Sequence, residues 1–407
     1  MTQKSGLLPF LAGCLLLAAC TSGVPAAQQT AAAEEPLPED FFASITPNPP
    51  PAEESLDFLE RMAASDEFST NFTIYGDAID GIVSGGPRKD GIPAIDQPRY
   101  VSMAQADGWL RPQEPVIQVE VGGVARAYPI QILIWHEIVN DELNGLPLAV
   151  TFCPLCNTAI VFQREVDGQV LDFGTTGRLR YSNLIMYDRQ SESWWQQANG
   201  EAIIGDFTGT RLANYPALIV AWEDFKTAYP NGDVLSPDTG YTNPYGQNPY
   251  PGYDDINVSP FLYRGPQTPG QLPAMARVLT IELGNEAVAF PYSTLEEIGL
   301  VNSSVDSQAV LVLWQPGVVS PLQTSFTGAG RDVGAAAAYS RELDGLILNF
   351  YMENGNIYDE QTGSRWDLFG RAVAGDLAGA ELHPIVAINH FWFSWAAFRP
   401  DTIIYQP

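Results

Sequence analysis

Two cysteines are the residues of this sequence best suited to chemistry: Cys153 and Cys156, in the run Thr151-Phe-Cys-Pro-Leu-Cys156. Thiolates are nucleophiles, redox groups and soft metal ligands, so a Cys-x-x-Cys pair predicts a metal knuckle, a redox-active dithiol or a local disulfide that braces a turn. Strand-like runs, Leu148–Phe152 and Thr158–Gln163, flank the motif. This context favours a turn between two strands over the helix start of a thioredoxin-like motif.

Other ligand-type residues decide which metal the cysteines would suit. A closed zinc site needs four ligands, and the sequence contains no second cysteine pair. His136 is the expected third ligand and Met186 the less certain fourth. Two thiolates, an imidazole and a thioether form a soft set, which suits copper or zinc better than calcium or magnesium. His136 lies in an apolar run, Ile132–Val139, so a hydrogen-bonded core histidine is the alternative.

The elements that position these residues are predicted to be mainly strands. Short runs such as Val116–Val121 alternate with turns rich in Gly, Pro, Asn and Asp. Helical periodicity is confined to short stretches such as Trp222–Tyr229. The expected fold class is therefore β-rich, mixed α+β, with a few peripheral helices.

An internal duplication organises these elements. Val116-Ile-Gln-Val-Glu-Val-Gly-Gly recurs as Val278-Leu-Thr-Ile-Glu-Leu-Gly-Asn (278 − 116 = 162), and Asp188-Arg-Gln-Ser-Glu-Ser-Trp-Trp recurs as Asp359-Glu-Gln-Thr-Gly-Ser-Arg-Trp. We expect two tandem copies of one β-sheet unit, packed as a pseudo-symmetric pair. The predicted divisions are a signal peptide (1–19), a lipidated, disordered tether (20–55), an N-terminal segment holding the first repeat (56–240), a connecting segment (241–277) and a C-terminal segment holding the degenerate second repeat (278–407).

The duplication separates scaffold from site. Residues present in both copies are most simply explained by their shared fold, so the Asp, Gln, Ser and Trp of the repeated motif are expected to form turns and a buried core. The first copy alone has five residues that titrate or bind soft metals: His136, Glu137, Cys153, Cys156 and Met186. The second copy has no cysteine and has Ile298 opposite His136. Its own histidines, His383 and His390, are expected to be structural.

The N-terminus predicts export and a lipid anchor. An apolar or small run from Gly6 to Ala19 follows Lys4 and ends in the lipobox-like Leu17-Ala-Ala-Cys20. The run is shorter than the ~20 residues that span a bilayer, which disfavours a transmembrane anchor. We expect cleavage before Cys20 and a lipid on Cys20, which makes the membrane a partner, specifically the outer membrane if the cell is Gram-negative.

Charge excludes one class of partner. Loss of Lys4 with the signal peptide leaves 19 basic against 48 acidic residues, a formal charge of −29. A field of that sign repels phosphate backbones, so no nucleic-acid partner is expected. Thr21 to Glu54 is mostly Ala, Pro, Gln and Glu, a composition typical of a tether that holds the folded part away from the lipid.

Several motifs together resemble the family called domain of unknown function 3179, whose relevant members are exported or lipid-anchored. The likeness covers about residues 85–407. The motifs that follow the family's order and spacing are Gly85–Asp96, Trp135–Asn140, Thr151–Cys156, Phe173–Gly177 and Met186–Arg189. The resemblance supplies no activity.

The functional prediction therefore depends on the residues themselves. Phosphate-binding glycine loops, Gly-x-Ser-x-Gly and His-Glu-x-x-His are absent from the sequence, which gives a hydrolase little support. The run Phe173–Gly177 predicts a turn rather than a nucleotide-binding loop, because a strand-like segment follows it. We expect an envelope lipoprotein that binds copper or zinc at Cys153, Cys156 and His136. The alternatives are a redox-active dithiol protein and a non-catalytic scaffold or ligand-binding lipoprotein, and whether the protein is an enzyme stays open.

Overall fold

The computed structural model describes residues 52–77 and 79–407. The signal peptide, Cys20 and most of the predicted tether lie outside these residues. The described part begins with a helix that starts at Ala52, a few residues inside the stretch predicted as tether. None of its helices is long and apolar enough to cross a membrane. The α-helices are α1 Ala52–Ala63, α2 Met103–Ala106, α3 Ile130–His136, α4 Trp222–Ala228, α5 Tyr292–Ile298 and α6 Trp392–Ala396.

Strands make up most of the regular structure, which confirms the β-rich prediction. Those of the N-terminal segment are β1 Ile82–Ser84, β2 Tyr100–Ser102, β3 Pro115–Val121, β4 Val124–Pro129, β5 Ile138–Leu143, β6 Leu146–Cys153, β7 Thr158–Gln163, β8 Glu165–Val166, β9 Gln169–Val170, β10 Phe173–Arg180, β11 Asn183–Asp188, β12 Trp194–Gln196, β13 Glu201–Ile204, β14 Asn214–Tyr215, β15 Leu218–Ala221 and β16 Asp233–Leu235. Those that follow are β17 Arg277–Leu283, β18 Glu286–Pro291, β19 Leu300–Val305, β20 Gln308–Gln315, β21 Ala335–Ser340, β22 Glu342–Leu343, β23 Leu346–Ile347, β24 Phe350–Glu353, β25 Asn356–Asp359, β26 Arg365–Trp366, β27 Ala372–Ala374, β28 Ala387–Phe391 and β29 Ile403–Ile404.

The N-terminal segment folds into three sheets and a two-stranded ribbon. The sheet orders are β15-β3-β4-β16-β2, β14-β7-β6-β5 and β1-β10-β11-β12-β13, and β8 pairs with β9. Hairpins between sequential strands dominate, and β16 returns parallel to β4. The hairpin β3–β4 turns at Gly122 and Gly123, whose φ angles of 55° and 83° suit a two-residue turn with both residues left-handed.

The C-terminal segment has sheets of corresponding order. They are β28-β17-β18-β29, β19-β20-β21 and β24-β25-β26-β27, with the ribbon β22-β23. Val116 faces Pro129 across β3 and β4, and Val278 faces Pro291 across β17 and β18. In each case a seven-residue helix follows the second strand directly.

The two segments share hydrophobic core. One cluster of buried side chains contains Val116, Val220, Trp222 and Phe225 from the N-terminal segment with Leu311, Leu313, Tyr339 and Trp366 from the C-terminal segment. A larger cluster surrounds the two cysteines and includes Phe391 and Phe393 from the far end of the chain. The cysteine region is therefore covered by residues from both segments.

One local prediction was wrong. Phe173–Gly177 had been expected as a turn, but it lies within strand β10, which pairs with β11 through an irregularity between Thr175 and Arg178. Gly177 has a φ of 69°, and a Cβ on it would lie 2.0 Å from the carbonyl oxygen of Pro87. The glycines of this motif therefore allow a bulge in the strand and the close approach of the Pro87 backbone to Gly177. They do not form a chain reversal.

Candidate functional site

The cysteine motif lies in a tight turn between two antiparallel strands, as the sequence predicted. Strand β6 ends at Cys153, a 3₁₀ turn covers Pro154–Cys156, and β7 starts at Thr158, which pairs with Cys153. Proline suits the first position of such a turn because its missing N–H would have no partner there. Asn157 closes the turn with a φ of 50°.

Both thiols are free, buried and directed at one acceptor. Cys153 and Cys156 are free and only 1% and 0% exposed. Their Sγ atoms lie 3.7 Å and 3.4 Å from the carbonyl oxygen of Ser182. The side-chain amide of Asn183 donates to the sulfur of Cys156 over 3.5 Å. Two sulfur atoms that converge on the same oxygen are placed to react with each other or to share one ligand.

Burial keeps the thiol of Cys153 protonated. Desolvation is the largest cause that raises its pKa well above the ordinary value, followed by the hydrogen bond and charge of Cys156 and by the charge of Glu137. Because the thiolate is the reactive form, this cysteine needs a base before it can attack a disulfide or bind a metal.

The partners of the thiols come from the tip of the β10–β11 hairpin. That hairpin spans Phe173–Asp188, whereas its counterpart β24–β25 spans only Phe350–Asp359. At the longer tip, Tyr181 and Ser182 have φ angles of 55° and 65°, which turn the Ser182 carbonyl toward the sulfurs. The second segment lacks both the cysteines and the hairpin tip that contacts them.

The connecting segment covers the cysteine turn from outside. The hydroxyl of Tyr253 donates to the carbonyl oxygen of Leu155 over 3.0 Å. The hydroxyl of Ser182 donates to the carbonyl oxygen of Phe261 over 2.5 Å. A large partner can reach the sulfurs only if this cover moves.

Glu137 lies next to the strand that carries Cys153, since its backbone carbonyl accepts a hydrogen bond from Phe152, the residue before this cysteine. The side chain of Glu137 is 7% exposed and forms no hydrogen bond or ion pair with any residue that the structure describes. Burial raises its pKa to about 8. The residue ends helix α3 with a φ of 59°, a left-handed conformation that side chains other than glycine and asparagine rarely adopt.

His136 directs both ring nitrogens at groups other than the cysteines. Nδ1 lies 2.7 Å from the carbonyl oxygen of Pro93, and Nε2 lies 2.6 Å from the hydroxyl of Tyr245. The carbonyl can only accept, so Nδ1 carries the proton and Nε2 accepts from Tyr245. Burial lowers the pKa of this histidine, which keeps the ring neutral. The arrangement is that of a hydrogen-bonded core histidine.

Met186 belongs to the same hydrophobic cluster as the cysteines but shares no hydrogen bond with them. It lies on β11 opposite Thr175 and Trp195 and is completely buried. Across residues 52–77 and 79–407, no group of three or more His, Cys, Asp or Glu side chains is arranged to hold a metal ion. The structure thus brings together Cys153 and Cys156, with Glu137 nearby.

His390 reaches the cysteine turn although nothing in the sequence indicated it. Its Nδ1 lies 2.8 Å from the hydroxyl of Thr158, which itself donates to the carbonyl oxygen of Cys156 over 3.0 Å. Burial lowers the pKa of His390 to about 3. Its Nε2 has no partner among the described residues. Since His390 and Thr158 are 232 residues apart, no spacing pattern could have joined them.

The polar cluster present in both segments is structural, as predicted. The indole N–H of Trp195 donates to Asp188 over 2.9 Å, and that of Trp366 donates to Asp359 over 3.0 Å. Each aspartate also accepts a backbone N–H three residues ahead at 2.6 Å. These contacts brace a turn against a buried tryptophan.

The charged residues of two further motifs also hold structure together. Arg189 pairs with Asp90 at 2.9 Å and with Asp96 at 3.1 Å, and the hydroxyl of Tyr187 donates to Asp90. Lys89 pairs with Glu192. Together these contacts fix the stretch 85–96 against the β10–β11 hairpin.

Comparison with known proteins identifies a family but no characterised relative. No curated protein and no solved structure matched the chain. The model of the family described as "Protein of unknown function (DUF3179)" matches residues 89–402, well over half of the sequence, in agreement with the resemblance seen in the motifs. The chain therefore belongs to the DUF3179 family of proteins of unknown function.

Proposed function

We propose that this protein is an exported lipoprotein that exchanges electrons through the Cys153–Cys156 pair. One observation supports this most strongly: two free, buried thiols of one tight turn converge on a single carbonyl oxygen. In the proposed reaction the two thiols form a disulfide and release two protons and two electrons. A disulfide of a partner molecule accepts both and becomes a dithiol.

Charge favours this reaction over metal binding. Oxidation turns two neutral thiols into a neutral disulfide. A copper(I) ion held by two thiolates instead leaves a net negative charge in a site where water is excluded and the Glu137 carboxyl is close. A zinc ion needs further ligands. His136, the expected third ligand, is instead hydrogen-bonded to Pro93 and Tyr245.

The test is a redox titration of the mature protein in dithiothreitol buffers, with thiols counted by alkylation and mass. We expect one two-electron transition that joins Cys153 to Cys156. Cys153→Ser and Cys156→Ser should each abolish it. Thiols that stay reduced throughout would contradict the proposal and favour a non-catalytic scaffold or ligand-binding lipoprotein.

Binding of copper or zinc at the same sulfurs is the second candidate. The observation that favours it is the shared direction of the two sulfur atoms, because one soft ion can replace the Ser182 carbonyl as their common partner. Protein purified under reducing conditions would then carry about one copper or zinc per chain, and the double variant Cys153→Ser, Cys156→Ser would lose it. Metal-free wild-type protein in elemental analysis would reject this candidate.

We further infer that the two segments are copies of one unit, of which only the first retained the site. The shared order of sheets and the constant offset between β3–β4 and β17–β18 support this. So do the backbone bonds around each helix end: Phe152 donates to Glu137 over 2.8 Å, and Trp314 donates to Gly299 over 2.8 Å. If these positions correspond, glycine should replace Glu137 without loss of stability.

The lipid anchor is proposed from the sequence alone. The apolar run that ends in Cys20 supports cleavage before this cysteine and acylation of its sulfur. Cys20→Ser should move the protein from the membrane fraction to the soluble fraction. A variant that stays with membranes after a high-salt wash would show another kind of anchor.

A further inference from the structure

We propose that Glu137 is the proton-transfer residue of the Cys153–Cys156 pair: it accepts the proton of a cysteine thiol on oxidation and returns it on reduction. This inference rests on the proposed dithiol function. It assigns a specific chemical task to a residue that the fold holds in an unfavourable conformation. Three features of Glu137 support it: the backbone geometry, the burial of the side chain and the position beside the strand that carries Cys153.

The backbone at residue 137 is one that glycine adopts in the corresponding place. Glu137 ends helix α3 with a φ of 59° and donates its N–H to Leu133, and Gly299 ends helix α5 with a φ of 76° and donates to Leu295. Both of these bonds are 2.7 Å long. Glycine pays no steric penalty there, whereas glutamate does. A strained side chain where glycine fits indicates that the side chain itself is needed.

The side chain of Glu137 is mostly buried but has no hydrogen-bond or ion-pair partner among the described residues. Asp254, by contrast, pairs with Arg277 at 2.9 Å. Glu137 is 7% exposed, and its carboxyl oxygens are not among the fully buried atoms that lack a partner, so they keep contact with solvent. A carboxyl in this position holds no other group of the described fold in place and can still exchange a proton with water, which indicates a role outside folding.

The position of the carboxyl fits proton transfer with Cys153. The backbone bond from Phe152 to Glu137 places the helix end beside the strand residue that precedes Cys153. Burial is the largest cause that raises the pKa of Cys153, followed by Cys156, and the charge of Glu137 also contributes, so the two groups influence each other's ionisation. A carboxyl whose own pKa is about 8 can gain and lose a proton near neutral pH, which is the property a general base needs.

The proton balance of the reaction is complete. Glu137 takes the proton of one thiol, and the thiolate attacks the disulfide of the partner molecule to form a mixed disulfide. The departing partner sulfur takes one proton from water, because Glu137 keeps the proton that it accepted. The second cysteine then loses its own proton as it attacks the mixed disulfide, joins Cys153 to Cys156 and frees the other partner sulfur, which takes that second thiol proton. Reduction runs the same steps in reverse.

The experiment compares the rate of oxidation by dipyridyl disulfide, from pH 5 to 10, in the wild type and three variants of the mature protein. Glu137→Gln keeps the size of the side chain but cannot ionise. Glu137→Gly also removes the carboxyl and suits the left-handed backbone. Glu296→Gln is the matched control, since Glu296 is an exposed glutamate of helix α5.

We expect both Glu137 variants to react about a hundredfold more slowly than wild type near pH 8, where a substantial fraction of the wild-type carboxyl is ionised; this effect is within the range typical of general-base catalysis. The difference should shrink at high pH, where hydroxide deprotonates the thiol directly. Glu296→Gln should match wild type, and the denaturant midpoint of Glu137→Gly should equal or exceed that of wild type. Wild-type rates and pH profile in both folded Glu137 variants would overturn this inference alone. A wild type that forms no Cys153–Cys156 disulfide would overturn the proposed function and this inference with it.

Discussion

Glu137 combines two features that each lower stability: a left-handed backbone and a largely desolvated carboxyl without a partner among the described residues. The backbone alone costs about 1–2 kcal/mol relative to glycine. Neighbouring residues keep the conformation in place, because the N–H and the carbonyl of Glu137 are both hydrogen-bonded to backbone groups of Leu133 and Phe152. The steric strain therefore comes from the presence of a side chain at this backbone conformation. Replacing Glu137 by glycine should remove the strain without disturbing the fold.

The raised pKa of Glu137 makes stability depend on pH in a defined direction. The folded protein holds the proton up to about pH 8, whereas the unfolded chain releases it near 4.5. Between these values the folded state binds more protons, so the free energy of unfolding should fall as pH rises, by at most about 1.4 kcal/mol per pH unit. Urea titrations of wild type and Glu137→Gln from pH 4 to 9 measure this, and the slope should be reduced in the variant. Equal slopes would show that Glu137 ionises normally.

Sequence reasoning found the cysteine pair and its turn because both depend on local pattern. It noted that Glu137 occurs only in the first copy but gave it no role, since neither its left-handed φ nor its missing partner is visible in a sequence. The assignment of His136 as a metal ligand stays a prediction, and the contacts of this residue with Pro93 and Tyr245 could not have been foreseen. Those groups lie 43 and 109 residues from His136 along the chain.

At the scale of elements, a turn braced by an aspartate and a buried tryptophan occurs once in each segment, so the two segments can be compared with each other. Strands β3, β6 and β7 and helix α4 lie where hydrophobic pattern predicted them, because alternation and short apolar runs report local periodicity. The bulge in β10 was missed, because the glycines that form it also suit an ordinary turn. What distinguishes the two segments is the longer β10–β11 hairpin, whose tip supplies Ser182 and Asn183 to the thiols.

The two aspartate–tryptophan turns should contribute equally to stability, because their aspartates accept equivalent hydrogen bonds. Asp188→Ala and Asp359→Ala each leave a buried indole N–H and a turn N–H without an acceptor. Each should lower the free energy of unfolding by about 1–3 kcal/mol, measured in urea. In the folded state Asp359→Ala should keep the wild-type rate of thiol oxidation. A large effect of only one substitution on stability would show that the two turns are not equivalent.

For the whole molecule, the arrangement of the core makes the two segments one folding unit. Leu313 is completely buried and belongs to the cluster that also contains Val116, Trp222 and Phe225 of the other segment. The connecting segment adds contacts at the cysteine turn through Tyr253 and at His136 through Tyr245. The cysteine site therefore depends on residues far beyond the segment that carries its sulfurs, and isolating that segment would expose apolar surface.

This shared core predicts a single cooperative unfolding transition for both segments. Tryptophan fluorescence reports on both, because the nine tryptophans are distributed between them, whereas alkylation of Cys153 and Cys156 reports on the first alone. Both probes should give the same denaturant midpoint. Leu313→Ala removes a buried side chain of the second segment and should cost about 2–5 kcal/mol. Because the cluster contains residues of both segments, the variant should lower both midpoints together. A cavity in the second segment would then make the cysteines of the first segment react at a lower denaturant concentration. Thiols that become reactive at their original midpoint while the fluorescence midpoint shifts would show that the segments unfold independently and that the common core contributes little to the site.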